Sequence, residues 1–167
     1  MHYLVDGYNF FFRLREDIFP LEDARNSFIH ELSSALLEID TKASLVFDSG
    51  KDTILDVASK SHFGKIDVVF TPKGVSADDY IIELVEIERH PGSITVVSSD
   101  KGVLARSVSL GARTMSVEKF VAFVQRKQRK KRKKEEKFEC DSDYHINRLE
   151  EEFLRRLKDS PEDDSPF

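Results

Sequence analysis

The stretch YLVDGYNFFF, residues 3–12, combines an apolar strand pattern with a charge at its end. Tyr3, Leu4 and Val5 are typical of a buried strand, and the carboxylate of Asp6 follows them directly. Burying an ionised carboxylate costs several kcal/mol unless the group is paired or binds a metal. The position of Asp6 therefore predicts a functional group at the end of a core strand.

Strand-like and helix-like patterns alternate through the first 125 residues. Short apolar runs predict strands at 2–5, 44–47, 66–70 and 94–97, and a weaker run predicts one at 111–115. Apolar residues at helical spacing predict helices over 21–40 and 77–89, and another helix begins after Ser116 and continues into a basic stretch. Nearly continuous apolar strands between amphipathic helices are typical of a parallel sheet covered on both faces. The sequence thus predicts an α/β fold with a central parallel sheet.

Carboxylates follow these predicted strands. Asp6 ends the first strand, Asp48 the second and Asp100 the fourth. The third strand leads to Asp78 and Asp79 at a predicted helix start. Because the carboxyl ends of parallel strands meet at one edge, we expect these groups to converge there, and clustered carboxylates suit Mg²⁺ or Mn²⁺. Any one of them alone is equally well explained by turn or helix-capping chemistry, Asp79 most readily.

Four blocks of the sequence carry a family resemblance: YLVDGYNFFF, LVFD, VVFTPKGVSADDYI and ITVVSSDKGVLARSVSLGARTMSVEKFV, within residues 2–125. In order and spacing they resemble the YacP-like NYN nucleases, a branch of the PIN-like superfamily of metal-dependent ribonucleases. The resemblance implies a three-layer α/β/α, Rossmann-like fold and an acidic pocket that cleaves RNA with Mg²⁺ or Mn²⁺. It implies that Asp6, Asp78 and Asp100 are catalytic residues and metal ligands. Ile82 departs from the family pattern, in which Glu is frequent at this position.

Further residues around this acidic set are candidates for supporting roles. We expect Asn9 to act in catalysis by orienting water or phosphate, as a neutral hydrogen-bonding group. Asp48 is expected to tune the site from outside, and Asp48 and Asp79 are additional candidates for metal binding. Tyr8 and Arg13 follow Asp6 closely in the sequence and are candidates for RNA contacts.

Charge is distributed very unevenly along the chain, whose net charge is −5. Residues 1–125 carry −6, residues 126–134 (RKQRKKRKK) carry +8, and residues 135–167 carry −7. We therefore predict two parts, a nuclease-like domain over 1–125 and a charged helical extension over 126–167. The extension is expected to begin as a basic helix and to end in an acidic, partly disordered tail.

The basic stretch is denser in positive charge than solubility requires. Such a density attracts a phosphate backbone without reading its sequence. We expect it to bind RNA or the ribosome through Lys130, Lys131, Arg132, Lys133 and Lys134. Pairing with the acidic tail is the alternative. Within that tail, an apolar stripe predicts a short helix over 146–157, and the composition of residues 159–167 predicts disorder.

Several classes of protein find no support in the sequence. No run approaches the roughly 18 apolar residues of a membrane helix, and a strand pattern that starts at residue 2 predicts that no signal peptide is present. The single cysteine, Cys140, indicates a reducing compartment, so a cytoplasmic location is expected. Cys140 and His145 lack the partners of a zinc site, and no phosphate-binding loop or covalent nucleophile stands out. The phenylalanines at 10–12 are expected in the core rather than stacked on bases.

The leading interpretation is a metal-dependent endoribonuclease that hydrolyses phosphodiester bonds. The resemblance extends the expected substrate to ribosome-associated messenger RNA. The alternative is a non-catalytic RNA- or ribosome-binding adaptor on the same fold. A phosphotransfer domain is disfavoured, because Lys101 follows Asp100 directly instead of ending a strand of its own. The sequence carries no signal for an oligomeric state.

Overall fold

The structure, a computed structural model, describes residues 2–14, 21–49 and 56–158. Its strands are β1 (His2–Asp6), β2 (Ala43–Phe47), β3 (Ser59–Phe63), β4 (Ile66–Phe70), β5 (Ile94–Val97) and β6 (Arg113–Met115). Its helices are α1 (Gly7–Leu14), α2 (Leu21–Glu38), α3 (Ala77–Ile87), α4 (Lys101–Ser109) and α5 (Val117–Lys158), with a short 3₁₀ turn at Pro91–Ser93.

The strands of the described residues form a single sheet in the order β3-β4-β2-β1-β5-β6. Neighbouring strands are parallel, except for the antiparallel pair of β3 and β4. β1 lies between β2 and β5, with Asp6 opposite Val46 and Val5 opposite Val97. The carboxyl ends of β1, β2, β4 and β5 consequently meet at one edge of the sheet, called the carboxyl edge below.

Helices cover both faces of this sheet. One core cluster joins strand residues to Phe10 of α1, Phe28 of α2 and Phe120 of α5. The other cluster joins strand residues to Ile81 of α3 and Val103 of α4. Because each helical layer buries its apolar face on one side of the strands, the sheet is shielded from water on both sides. The predicted α/β fold, with its three layers, is confirmed.

The predicted elements agree with the structure to within two residues at each end. Three elements were not predicted: α1, β3 and α4. β3 adds an antiparallel strand at the edge of the predicted parallel sheet. Antiparallel edge strands on otherwise parallel sheets are common in this fold class.

The C-terminal extension differs from the prediction in one respect. α5 is a single helix over Val117–Lys158, so the short helix predicted over 146–157 is its last part. The chain divides into two compact units, Met1–Gln128 and Arg129–Phe167, and the boundary after residue 125 stays a prediction. The tail at 159–167, predicted to be disordered, lies outside the described residues. In the part of the chain that the structure describes, no helix combines the length and apolar character needed to cross a membrane.

Candidate active site at the carboxyl edge

Asp6 lies at the carboxyl edge as the last residue of β1, and it is only 6% exposed. Its Oδ1 accepts a hydrogen bond from the backbone N–H of Asn9 at 3.1 Å. Ser98 directly follows β5 and is fully buried, and its hydroxyl donates to Oδ2 at 3.5 Å. The carboxyl group is therefore held in place by the start of α1 on one side and by the end of β5 on the other.

Gly7 allows the chain to turn from β1 into α1 directly after Asp6. A Cβ atom at this position would lie 2.5 Å from Cε1 of the Phe47 ring, which is far closer than side chains pack. Phe47 ends β2 and is completely buried, so its ring has no room to move away. The glycine in the DGYN block is thus required by a close approach between α1 and the neighbouring strand.

Asp78 meets Asp6 from the start of α3. It is half-buried, and a hydrogen bond joins the two carboxyl groups. The start of α3 is fixed by two capping interactions: Ser76 Oγ accepts from the backbone N–H of Asp79, and Asp48 Oδ1 accepts from the backbone N–H of Ala77 at 2.6 Å. Asp48 therefore anchors the helix that carries Asp78 to the end of β2.

Burial and the charges of neighbouring carboxylates raise the pKa values of both paired acids. Desolvation is the main cause of the rise in the pKa of Asp6 to about 6, and the charges of Asp78 and Asp48 add to it. The pKa of Asp78 is raised by desolvation and then by the charges of Asp100 and Asp48. The hydrogen bond between the pair adds to the rise in the pKa of Asp6 and opposes the rise in the pKa of Asp78. A cation placed between the carboxylates would favour their charged forms.

Asp100 lies at the start of α4, and its charge raises the pKa of Asp78. It is exposed, and its Oδ1 caps the helix by accepting from the backbone N–H groups of Gly102 at 2.6 Å and Val103 at 3.0 Å. Its own backbone N–H donates to Ser98 Oγ at 3.0 Å, and the same hydroxyl contacts Asp6. Asp100 is therefore tied to the Asp6–Asp78 pair through Ser98 and through its charge.

Asn9 supports the site in a way that its sequence position does not predict. Its Oδ1 accepts from the backbone N–H of Ser99 at 2.7 Å. The side chain thus joins α1 to the loop between β5 and α4, next to Asp100. Sequence reasoning did not single out Ser98 and Ser99, although both lie in the quoted block that begins ITVVSSD.

The structure draws Asp79 and Arg13 into other interactions. Asp79 is exposed, accepts from the hydroxyl of Ser76 at 2.9 Å and pairs with Arg106 at 3.2 Å. These two contacts, Ser76 first, lower the pKa of Asp79. Arg13 pairs with Glu118 at 2.7 Å, and both side chains are largely exposed.

The remaining candidates lie in the core or at the surface. Tyr8 is half-buried, with its ring edge-on to Phe47 at 5.0 Å between centroids. Ile82, at the position where the family resemblance leads us to expect Glu, is 2% exposed and packs in the core on the α3 side. The basic stretch lies on α5, where its five predicted RNA-binding side chains, at 130–134, are exposed. Lys131 there approaches Glu135 at 3.8 Å.

The donor chemistry of the carboxyl edge fits a hard divalent cation. Among the described residues, no group of three or more His, Cys, Asp or Glu side chains is arranged to hold a metal ion. What the structure brings together is a pair of hydrogen-bonded carboxyl groups, Asp6 and Asp78. Mg²⁺ commonly takes one or two protein carboxylates and completes its octahedron with water and substrate phosphate oxygens. The pair provides such a ligand set.

Comparisons with known proteins identify the family. The family model of the YacP-like NYN domain matches residues 3–161. The chain belongs to the YacP-like NYN family. This is a PIN-like nuclease family, whose domains generally use divalent metals, and the match extends past residue 125 into the charged extension.

Two crystal structures of Rae1 (YacP) from Bacillus subtilis share the fold of this YacP-like NYN chain. The first is 21% identical, covers 95% of this chain and 92% of its own, and has a TM-score of 0.61. The second, of a mutant in which one tryptophan is replaced by leucine, is 23% identical over 77% of each chain, with a TM-score of 0.59. No curated protein matches the chain.

Proposed function

We propose that this YacP-like NYN protein is a metal-dependent endoribonuclease that hydrolyses phosphodiester bonds of RNA at the carboxyl edge. The single observation that carries the proposal is the meeting of the buried Asp6 carboxyl group with the half-buried Asp78 carboxyl group, which come from different elements and are joined by a hydrogen bond. Like charges held together in a buried place reduce stability, and such arrangements cluster at functional sites. Membership of a PIN-like nuclease family supports the same reaction class.

Each acidic residue has a separate part in the proposal. Asp6 and Asp78 bind the Mg²⁺ or Mn²⁺ ion, and Asp100 contributes a further oxygen directly or through water. Asp48 acts from outside by fixing the start of α3, consistent with its bond to the backbone of Ala77. When bound, the ion would lower the pKa of a water molecule and neutralise charge on the phosphate oxygens.

Asn9 is assigned a positioning role in addition to the one expected from sequence. Its amide oxygen already accepts from Ser99, so the amide nitrogen is the part of Asn9 that remains to bind phosphate or water. Asp79 is not assigned to the metal, since Ser76 and Arg106 bind its carboxylate.

The proposed partner is RNA, with ribosome-associated messenger RNA as the expected class and the cytoplasm as the location. The exposed basic side chains of α5 would attract the phosphate backbone to a body that is otherwise acidic. Their number and density support a docking role for Lys130, Lys131, Arg132, Lys133 and Lys134.

A non-catalytic RNA-binding adaptor is the second candidate, and Ile82 favours it. A core isoleucine stands where relatives frequently carry a glutamate, so one acidic group of the family pattern is missing from the pocket. The intact set of Asp6, Asn9, Asp78 and Asp100 favours the nuclease, because an adaptor has no need of a destabilising acidic pair.

The test is incubation of the full-length protein with end-labelled single-stranded RNA in Mn²⁺, Mg²⁺ or EDTA. Cleavage is expected only with a divalent metal. Because loss of residues that merely support metal ligands costs about 10–100-fold, Asp6→Asn is expected to reduce cleavage at least about 100-fold. Glu83→Gln, an equal charge change at an exposed position of α3, is the matched control and should cleave normally. RNA binding without metal-dependent cleavage would identify the adaptor instead.

A further inference from the structure

Arg25 of α2 lies in an aromatic cradle at the carboxyl edge. Its guanidinium carbon is 5.0 Å from the ring centroid of Phe70 and 6.0 Å from that of Phe47. Its Nη1 donates a hydrogen bond to the hydroxyl of Tyr8 at 3.1 Å. The side chain is only 17% exposed. Ring contacts and the tyrosine hydroxyl thus hold the planar guanidinium group in one orientation.

The charge of this arginine is poorly matched by the protein around it. Its one ion pair among the described residues is with Glu22 at 4.0 Å, and that carboxylate is on a side chain that is 79% exposed. The Nε atom is buried, yet it has no hydrogen-bond partner within the described ranges. A largely buried cation with unused donors is costly unless a ligand supplies acceptors. The cradle therefore presents a positive, oriented group whose one anionic partner within the described ranges is the exposed Glu22 carboxylate.

The cradle adjoins the acidic pocket. Phe47 and Phe70 are the last residues of β2 and β4 and lie opposite each other in the sheet. The Phe47 ring also packs against Gly7, the residue after Asp6, and Tyr8 follows Gly7. Arg25 is thus separated from the Asp6 backbone by the contact between Gly7 and the Phe47 ring. Phe47, Phe70 and Tyr8 pack on the side of the sheet that α1 and α2 cover, whereas Asp78 comes from α3 on the other side. A polyanion that contacts both Asp78 and Arg25 therefore has to cross the carboxyl edge.

We propose that Arg25 binds a phosphate group of the RNA strand next to the one that is cleaved, with Tyr8 orienting the guanidinium group. A guanidinium donates charge-assisted hydrogen bonds to phosphate oxygens. Because Nε is buried and Nη1 donates to Tyr8, Nη2 is the nitrogen of Arg25 that we assign to the phosphate. The inference rests on the proposed function, since it names a second contact for the same RNA. It adds a cationic subsite to a pocket otherwise made of acids.

The experiment measures RNA binding apart from cleavage. The full-length protein in EDTA is titrated with a fluorescent single-stranded oligouridylate of about ten nucleotides at several salt concentrations. Arg25→Gln and Arg25→Met remove the charge, and Met keeps an unbranched stem for packing on the two rings. Arg113→Gln removes one exposed positive charge on β6 and is the matched control. Melting temperatures of all variants are measured alongside.

Arg25→Gln and Arg25→Met are expected to weaken binding about tenfold or more and to reduce the log–log salt slope by about 0.7, the value of one phosphate contact on a single strand. Arg113→Gln should leave the slope unchanged. Folded Arg25 variants that match the control in affinity and slope would overturn the proposal. Failure of both variants to fold would also overturn it, because Arg25 would then be a structural residue that needs an internal partner.

The outcome separates this inference from the proposed nuclease. If the wild-type protein cleaves RNA with Mn²⁺ but binds it independently of Arg25, only the proposed phosphate subsite is wrong. If it binds RNA through Arg25 but does not cleave it, only the proposed nuclease activity is wrong.

Discussion

The surroundings of Asp6 oppose the charge of its carboxylate. Its pKa is about 6 in the folded chain, against about 4 for an aspartate in water. The folded state therefore binds more protons than the unfolded state between these values. Stability from this group is complete below about pH 4 and is lost as the pH rises through about 6.

We expect this titration to appear in the unfolding of the metal-free protein. In EDTA, the free energy of unfolding of wild type should fall by up to about 3 kcal/mol relative to Asp6→Asn as the pH rises from about 4 to about 8. The Asn side chain carries no charge to desolvate, so the variant should be the more stable protein at neutral pH. Urea unfolding across this pH range measures the difference.

Glu83→Gln serves as the control for this measurement, because Glu83 is exposed on the same helix as Asp78. Its difference from wild type should not follow the same pH course. If Asp6→Asn is less stable than wild type at neutral pH, Asp6 is a structural hydrogen-bonding group, and the functional interpretation of its burial fails.

For single residues, the ends of the predicted strands were enough to predict most of the acidic residues that lie at the carboxyl edge. Asp6, Asp48 and Asp100 each follow a predicted strand, and parallel strands bring such positions to one edge. The parts that sequence reasoning missed depend on contacts between distant segments. Asn9 bonds to Ser99 across 90 residues, and Arg25 meets rings from two strands. No local pattern encodes either contact.

At the scale of elements, the helices α3 and α4 both begin at carboxylates of the site. Asp100 caps α4 with two backbone bonds, and the Ser76 hydroxyl and Asp48 cap α3. The acidic residues that bear on function are thus partly explained by local helix chemistry. Both roles can be separated by substitution, because an asparagine retains the capping oxygen and loses the charge.

We expect Asp100→Asn to reduce RNA cleavage strongly while leaving the melting temperature close to that of wild type. Asp100→Ala should reduce cleavage similarly and also cost about 1 kcal/mol of stability, since two N–H groups of α4 lose their acceptor. Thermal unfolding and cleavage of labelled RNA, measured on both variants, test this. Normal cleavage by Asp100→Asn would reduce Asp100 to a capping residue.

The elements absent from the sequence prediction have physical explanations. α1 is an eight-residue helix rich in aromatic and other weak helix formers, GYNFFFRL, and its stability comes from burying Phe10 and Phe11 to 1% exposure. β3, SKSHF, is a mostly exposed edge strand without an apolar alternation. α1 is helical because it buries aromatic residues, and β3 is a strand because it pairs with β4. Neither cause can be read from the segment's own sequence.

For the whole molecule, the distribution of charge sets how a polyanion approaches. Residues 1–125 carry −6, and the concentrated positive charge lies in residues 126–134 of α5. Under the proposed function, the extension is the main source of long-range attraction to RNA, and the proposed Arg25 contact acts only at short range. Such attraction is screened by salt and carries no sequence preference.

We expect replacement of Lys130, Lys133 and Lys134 by Gln to weaken RNA or ribosome binding and to flatten its salt dependence. Each phosphate contact that is lost should lower the log–log slope by about 0.7. Gln preserves helix propensity, so α5 should remain helical. Cleavage of a short RNA at saturating concentration should persist, because the acidic residues are unchanged. Binding curves at several salt concentrations measure the effect.

A second triple variant provides the matched control for charge. Arg89→Gln, Arg113→Gln and Lys119→Gln also remove three positive charges, but from exposed positions within residues 1–125. If the two triple variants bind alike, the basic stretch has no special part in docking. If neither differs from wild type, pairing of the stretch with acidic residues of its own chain becomes the better interpretation.

The contact between Gly7 and the Phe47 ring has a consequence for how sequences of this family can diverge. The two positions lie on neighbouring strands or their ends, 40 residues apart, and the space for any side chain at one is filled by the ring of the other. Whether a substitution at Gly7 is tolerated therefore depends on the residue at position 47. In this chain, the aromatic ring at the end of β2 leaves no space for a side chain after the buried aspartate. A substitution of the glycine therefore requires a smaller residue at position 47 as well.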